Sequence, residues 1–288
     1  MKTPDISFEF FPPQSLEASF RLWDTVQTLA PLSPQFVSVT YGAGGTTRDL
    51  THEAVTTIGK KTGLNVAAHL TCVDASRRET LDIAERYASA GVNDIVALRG
   101  DAPLGQARFT QHPEGFADSP ALIEALAETG KFNIRVAAYP EPHPDAANTA
   151  QDVAWLKRKI DAGASSAITQ FFFEADTFFR FRDACDKAGI AAKIIPGILP
   201  IDSWRGVQKF AARCGAKIPD RVAATFEKAV RDDRQELLSI ALCTELCSEL
   251  IEGGVEDLHF YTLNRPGLTR DVCHALGVQP AVTLEKVA

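Results

Sequence analysis

Phe36-Val37-Ser38-Val39-Thr40-Tyr41-Gly42 is a β-branched and aromatic run that closes on a glycine. Arg48–Lys61 follows, mixing charged and apolar residues. Asn65-Val66-Ala67-Ala68-His69-Leu70-Thr71-Cys72 then repeats the first pattern. Strand, helix, strand reads as two parallel strands joined by a helical crossover. The unit recurs in both directions. Ile6–Phe11 lies before it, and Asp94–Asp101, Ile134–Pro140, Ser166–Phe173, Ala192–Pro200 and Asp257–Asn264 lie after it. Ser15–Leu29, Ser76–Ala90, Pro120–Thr129, Thr149–Ala162 and Thr177–Ala188 read as the intervening helices, and a long helical region, about 203–252, precedes the last strand. Ser76 followed by Glu79 is a capping box, and Gly63, Gly91, Gly163 and Gly189 stand where helix C-terminal glycines belong. Eight such repeats without a composition break predict one α/β domain, residues 1–288, folded as a (β/α)8 TIM barrel with an extra helical segment before strand eight. An open doubly wound sheet is the competing arrangement.

Composition narrows function. The 288 residues are 45% hydrophobic and 23% charged, enough apolar material for a full core. Thirty Lys and Arg against 37 Asp and Glu give −7, a poor balance for a nucleic-acid binder; Lys157-Arg158-Lys159 is the densest basic cluster. No run is long and apolar enough to cross a membrane, and the N-terminus lacks a signal-peptide core, so a cytoplasmic protein is expected. The six cysteines form no CxxC pair and read as reduced, buried thiols; no metal site is expected.

Alternation assigns faces. Ser7, Glu9 and Phe11 share one; so do Ser38 and Thr40; Asn65, His69 and Thr71; Ile95, Ala97, Arg99 and Asp101; Ser166 and Gln170; His259 and Tyr261. Tyr139 ends strand five. The polar sets converge on the barrel mouth, where barrel enzymes keep their active sites. A carboxylate between Phe8 and Phe10 is costly to bury unless used, so Glu9 is expected to have a raised pKa and to act as a general acid. Asp101, beside Arg99 and Gly100 at a strand end, is the second catalytic candidate. No complete dinucleotide fingerprint, P-loop, zincin pair or nucleophile elbow is present. Phe171-Phe172-Phe173 reads as core and barrel wall. The only strand lysine, Lys193, lies at the wrong end for Schiff-base chemistry, which disfavours a barrel lyase; a folate-binding scaffold without catalysis is a further alternative.

Taken together, the strand-end strings are distinctive: Ser7-Phe8-Glu9-Phe10-Phe11-Pro12-Pro13, Ala68-His69-Leu70-Thr71-Cys72, Ala97-Leu98-Arg99-Gly100-Asp101, Ala138-Tyr139-Pro140-Glu141-Pro142-His143-Pro144, Pro196-Gly197-Ile198-Leu199-Pro200 and His259-Phe260-Tyr261-Thr262-Leu263-Asn264-Arg265. With these the chain resembles the bacterial 5,10-methylenetetrahydrofolate reductases from about residue 5 to 277. The resemblance implies a homo-oligomeric enzyme of one-carbon metabolism and methionine biosynthesis. Bound FAD would take hydride from NAD(P)H and pass it, in a ping-pong scheme, to 5,10-methylenetetrahydrofolate, giving 5-methyltetrahydrofolate; the oxidative direction is the alternative.

Residue by residue, the resemblance implies Glu9 as the general acid and Asp101 near flavin and pterin. It implies flavin contacts from Thr40, Tyr41, Ala43, His69, Arg99, Gly100, Asp101, Ala117, Tyr139, His143, Ala146, Asp152, Arg158 and Lys159. Arg158 and Lys159 are expected to meet the pyrophosphate. Gln170, Phe210 and Arg265 are expected to bind substrate. Four departures from the family pattern stand out: the loop Gly105–Gly115, the glycine-rich turn Gly42-Ala43-Gly44-Gly45-Thr46, Phe116 in place of Tyr, and Trp155 in place of a small polar residue; the last two read as changes at the cofactor's edge, among its adenosine contacts. Because the chain ends at 288, the C-terminal regulatory domain of eukaryotic relatives is expected to be absent, and with it inhibition by S-adenosylmethionine.

Overall fold

In a computed structural model, residues 3–41, 48–100 and 110–281 are described. Strands and helices alternate. β1 (Asp5–Phe10) leads to α1 (Leu16–Leu29), β2 (Phe36–Val39) to α2 (Arg48–Thr62), β3 (Val66–Thr71) to α3 (Arg77–Ser89), and β4 (Asp94–Leu98) to α4 (Ser119–Glu128). β5 (Asn133–Ala138) leads to α5 (Thr149–Asp161), and β6 (Ser166–Thr169) to α6 (Ala175–Lys187). β7 (Lys193–Ile195) and β8 (Gly197–Ile198) then precede α7 (Trp204–Cys214), α8 (Asp220–Arg231) and α9 (Gln235–Glu252), and β9 (Asp257–Tyr261) precedes α10 (Pro266–Ala275). All strand pairs are parallel, in the order β7-β6-β5-β4-β3-β2-β1-β9-β8.

The expected seventh strand is split in two. β7 pairs with β6 and β8 pairs with β9, so the sheet closes around the single residue between them, Pro196. Proline has no N–H to give to a ladder, which makes it a natural break. Its carbonyl still accepts from His259 N at 3.0 Å. Next to it, Gly197 N donates to Thr169 Oγ1 at 2.9 Å. A Cβ on Gly197 would fall 2.1 Å from Thr169 O and 2.6 Å from the Tyr261 ring, so only glycine fits where the barrel closes. The result is the expected TIM-barrel-like α/β fold, with two helices added before the last strand.

The helices form for the reasons the sequence offers. Ser76 accepts from Glu79 N while the Glu79 carboxylate reaches back to Ser76 N, the complete capping box. The four glycines after α2, α3, α5 and α6 have φ between 71° and 116°, the left-handed conformation that ends a helix cleanly. The main core lies between strands and helices and includes Phe8, Phe10, Leu70, Ile95, Ala97 and Phe260. A smaller core joins α7 and α8 to Phe171, with Trp204 stacked on Phe226 at 5.0 Å. Phe171 and Phe172 are buried, as expected for a barrel wall. Of the six cysteines, none forms a disulfide and five are buried.

One facing differs from the expectation. Ile95 and Ala97 point to the helices, and the inward side of β4 carries Val96, in the interior cluster with Phe36, Ala67, Ile168 and Ile195. Parallel pairing explains it: His69 sits opposite Val96 and Thr71 opposite Leu98, so those residues share the inner face. Strict alternation would send Arg99 outward. The strand ends at Leu98, and Arg99 and Gly100, the latter at φ 90°, leave the strand's alternation, so that Arg99 lines the mouth.

Candidate active site at the barrel mouth

Glu9 is the centre of the site. β1 carries it inward between Phe8 and Phe10, whose rings are buried against the helices. Its Oε2 lies 3.3 Å from His69 Nε2 on β3 and 4.0 Å from His259 Nε2 on β9. His259 is fully buried, and its Nδ1 meets Ser7 Oγ at 2.8 Å. Its ring stacks on Phe36 at 5.6 Å, and the Arg135 guanidinium lies 4.1 Å from the Phe36 centroid. Arg135 is in turn ion-paired with Asp94 at the barrel floor.

The expected raised pKa of Glu9 is not found. Burial does push the carboxyl up, but the approach and charge of His259 and His69 outweigh it and bring the pKa down to about 2. The sequence placed all three residues on inward faces but could not tell that both rings aim at one oxygen. His259 is lowered by burial, against the pull of Glu9.

Beside this network a cleft of about 340 Å³ opens between the ends of β3–β5 and α5. Among the expected cofactor residues, Tyr41, Arg99, Gly100, Tyr139, His143, Ala146, Asp152 and Lys159 line it together. Lys159 is buried and donates to the Ala137 carbonyl at 2.8 Å. Among the described residues no carboxylate lies within ion-pair distance of it. Burial lowers its pKa to about 8, although the charge of Asp152 partly opposes this. Asp152 accepts from His143 N at 3.0 Å, and burial raises its pKa. His143 packs edge-on against Tyr139 at 4.6 Å; burial lowers its pKa. Arg99 reaches Asp145 at 3.0 Å. Asp145, Thr71 and Trp155 also line the cleft and were not in the expected set. Thr71 was legible from its inward parity, and Trp155 from the family resemblance, which put it at the cofactor's edge; Asp145 lies outside the strands, where alternation carries no signal.

Other expected residues lie apart. Ala117 and Arg158 line a neighbouring groove, where Arg158 reaches Asp118 at 3.3 Å. Thr40 sits after β2 and fixes backbone, its carbonyl accepting from Thr51 Oγ1 at 3.1 Å. Gln170 follows β6; its Oε1 accepts from Phe171 N at 3.0 Å, which leaves the amide nitrogen to donate outward. Phe210 on α7 packs on Phe171 at 5.1 Å. Arg265, before α10, is ion-paired with Asp202. Ala43 and Asp101 fall outside the described residues.

The family model described as "Methylenetetrahydrofolate reductase" matches residues 1–277. The chain belongs to the methylenetetrahydrofolate reductase family. It is 44% identical over 279 residues to the 5,10-methylenetetrahydrofolate reductase of Pectobacterium carotovorum subsp. carotovorum, covering 96% of this chain and 92% of the relative. It is 45% identical over the same length, with the same coverage, to that of Salmonella typhimurium. Among solved structures it is similar to a Clostridium thermocellum protein described as binding two copies of 5-methyl-5,6,7,8-tetrahydrofolic acid. That match has a TM-score of 0.63, 13% identity, and coverage of 96% of this chain and 95% of the other, a likeness of fold. Membership in this reductase family makes the chain an oxidoreductase enzyme. Among the described residues no helix is long and apolar enough to cross a membrane, and no group of three or more His, Cys, Asp or Glu could hold a metal ion.

Proposed function

We propose that this protein is an FAD-dependent 5,10-methylenetetrahydrofolate reductase that uses NAD(P)H. The observation that carries the reading is Glu9, lodged in the barrel against two imidazoles and beside a cleft lined by eight of the expected cofactor residues.

The residues present fit a flavin dinucleotide. Lys159 is a buried cation without a carboxylate partner among the described residues, which suits a pyrophosphate. Thr71 Oγ1 is a buried polar atom without a hydrogen bond, so a polar ligand would satisfy it. Tyr41, Tyr139 and His143 offer flat walls to a planar ring. When bound, the flavin supplies the hydride relay between the nicotinamide and the folate.

The chain's own residues supply the proton and the orientation. His69 Nε2 and His259 Nε2 lie 3.3 and 4.0 Å from one Glu9 oxygen, and their approach holds that carboxyl low in the free site. As the family resemblance implies, Glu9 is the acid that delivers a proton to the folate, ultimately at N10, opening the five-membered ring to the iminium that accepts hydride; because its pKa near 2 leaves the free site ionised, it first takes up a proton as bound cofactor and folate exclude water and strengthen the burial that raises it. The remaining carboxylate then faces the cation it has helped to form. The Gln170 amide donates to the pterin, Phe210 offers a ring face, and Arg265 exchanges Asp202 for a folate carboxylate. Asp101 orients the pterin and favours the cation, as the family resemblance implies.

The test is a spectrum. The purified protein should be yellow, with a band near ~450 nm that NADH or NADPH bleaches anaerobically and methylenetetrahydrofolate restores. A colourless protein that takes up no added FAD would overturn the reading.

A further inference from the structure

Arg135 has no part in the proton chemistry above, yet it reaches the residues that perform it. Parallel register sets Arg135 opposite Val96 and Ser166, on the inner face of β5. A guanidinium inside a barrel is costly, and a buried ion pair seldom repays that cost through stability alone. Asp94 accepts from Arg135 and, at 2.6 Å, from Asn133 Nδ2. Arg135 Nε is buried and makes no hydrogen bond. The guanidinium lies over the Phe36 ring, 4.1 Å from its centroid, and His259 stacks on the same ring at 5.6 Å and 14°.

Register also fixes the level at which this cation arrives. Phe36, Ser7 and His259 are partners across β2, β1 and β9 and form one inward row; Ser38, Glu9 and Tyr261 form the next row toward the mouth. Arg135 therefore enters at the row of His259, one step below Glu9. The imidazole's other neighbours are few. Ser7 Oγ meets Nδ1 at 2.8 Å, and Glu9 approaches Nε2 from β1 at 4.0 Å, with His69 of β3 on the same carboxylate oxygen. On β9 itself the Tyr261 ring lies edge-on at 5.4 Å, its hydroxyl given to the Thr169 carbonyl. Nearer the floor Asp257 pairs with Lys193 at 2.7 Å, and Asp5 is exposed.

This placement bears on where a proton goes. Glu9 serves as an acid only after it has taken a proton from solvent, and His259 is a competing base 4.0 Å away. A proton held on His259 leaves the carboxyl ionised and the folate nitrogen without its donor. A fixed cation in the His259 row raises the energy of the imidazolium. Burial does most to lower the His259 pKa, Glu9 opposes it, and the charges of His69 and Arg135 add to it.

Resting on the reading of Glu9 as the acid, we propose that Arg135 is a positioning residue: anchored by Asp94 and seated on Phe36, it keeps His259 neutral, so that the proton taken up when folate binds settles on the Glu9 carboxyl.

The experiment follows the histidine ring nitrogens of the full-length, isotope-labelled protein by NMR as pH is varied. It compares wild type, Arg135→Lys, Arg135→Met and the double variant Arg135→Met/Asp94→Asn, with His259→Asn to assign the signal. The double variant leaves no unpaired carboxylate buried, which keeps the test open where Arg135→Met alone fails to fold. The His259 midpoint should rise by about one pH unit in Arg135→Met, a tenfold change in its acid constant, and move in the same direction in the double variant. Arg135→Lys, which keeps the charge, should stay within about 0.3 unit of wild type. In stopped flow at pH 7, Arg135→Met should slow flavin reoxidation by methylenetetrahydrofolate about three- to tenfold and leave reduction by NADH within about twofold. An unmoved midpoint in both methionine variants would overturn the proposal, as would a shifted midpoint with the folate half-reaction unchanged. A wild-type protein that takes up no FAD would overturn the flavin reading, and the titration would still decide whether Arg135 governs His259.

Discussion

His69 Nε2 and Glu9 Oε2 lie 3.3 Å apart inside the ring of strands, and His259 Nε2 approaches the same oxygen at 4.0 Å. One carboxylate oxygen between two imidazoles makes β1, β3 and β9 a single electrostatic unit.

That unit sets the acid behaviour of the fold. The Glu9 pKa falls from 4.5 to about 2 on folding, so the group contributes stability that is complete above about 4.5 and is lost as pH falls toward 2. His259, lowered by burial, adds a loss that begins as pH drops below about 6.5. Chemical denaturation at stepped pH should show wild-type stability falling on the order of 3 kcal/mol more steeply between pH 5 and 2 than that of Glu9→Gln. Parallel curves for the two proteins would show that the carboxylate is not held this way.

Cofactor affinity should depend on pH through Lys159. Its pKa near 8 reflects burial, with Asp152 raising it and Arg99 lowering it. A bound pyrophosphate favours the ammonium, so binding takes up a proton wherever the free lysine is neutral. Affinity for FAD should therefore be flat below pH 8 and fall about tenfold per pH unit above it until the lysine of the complex titrates. Lys159→Met should weaken FAD at pH 7 by about ten- to a hundredfold and abolish that slope. Calorimetry in buffers of different ionisation enthalpy counts the protons directly.

Closure of the barrel rests on Gly197. A Cβ there would sit 2.1 Å from the Thr169 carbonyl and 2.6 Å from Tyr261, whose hydroxyl donates to that same carbonyl at 2.7 Å. Gly197→Ala must move backbone or break this contact and should cost about 3 kcal/mol in equilibrium denaturation. A loss below about 1 kcal/mol would mean that the seam around Pro196 is soft.

Much of this was legible in the sequence, for physical reasons. Alternation exposed Ser7, Glu9, His69 and His259 as inward groups because a strand has only two faces. Ser76 and Glu79 announced a helix start because the capping box is a local hydrogen-bond pattern. The features that escaped depend on partners distant in the chain. The facing of Ile95 and Ala97 follows from register with β3, and the break at Pro196 from which neighbour each half pairs with. The depressed Glu9 pKa needs two rings that lie 60 and 250 residues away in the chain. Asp145 comes from a loop, where spacing alone does not tell cleft from solvent.

The most direct test separates the two half-reactions in Glu9→Gln by anaerobic stopped flow. Glutamine keeps the shape of the side chain and removes the acid. The account predicts that bleaching of the flavin by NADH stays within about threefold of wild type, while reoxidation by methylenetetrahydrofolate slows by about 10²–10⁴-fold. Equal slowing of both half-reactions, or none in the second, would contradict it.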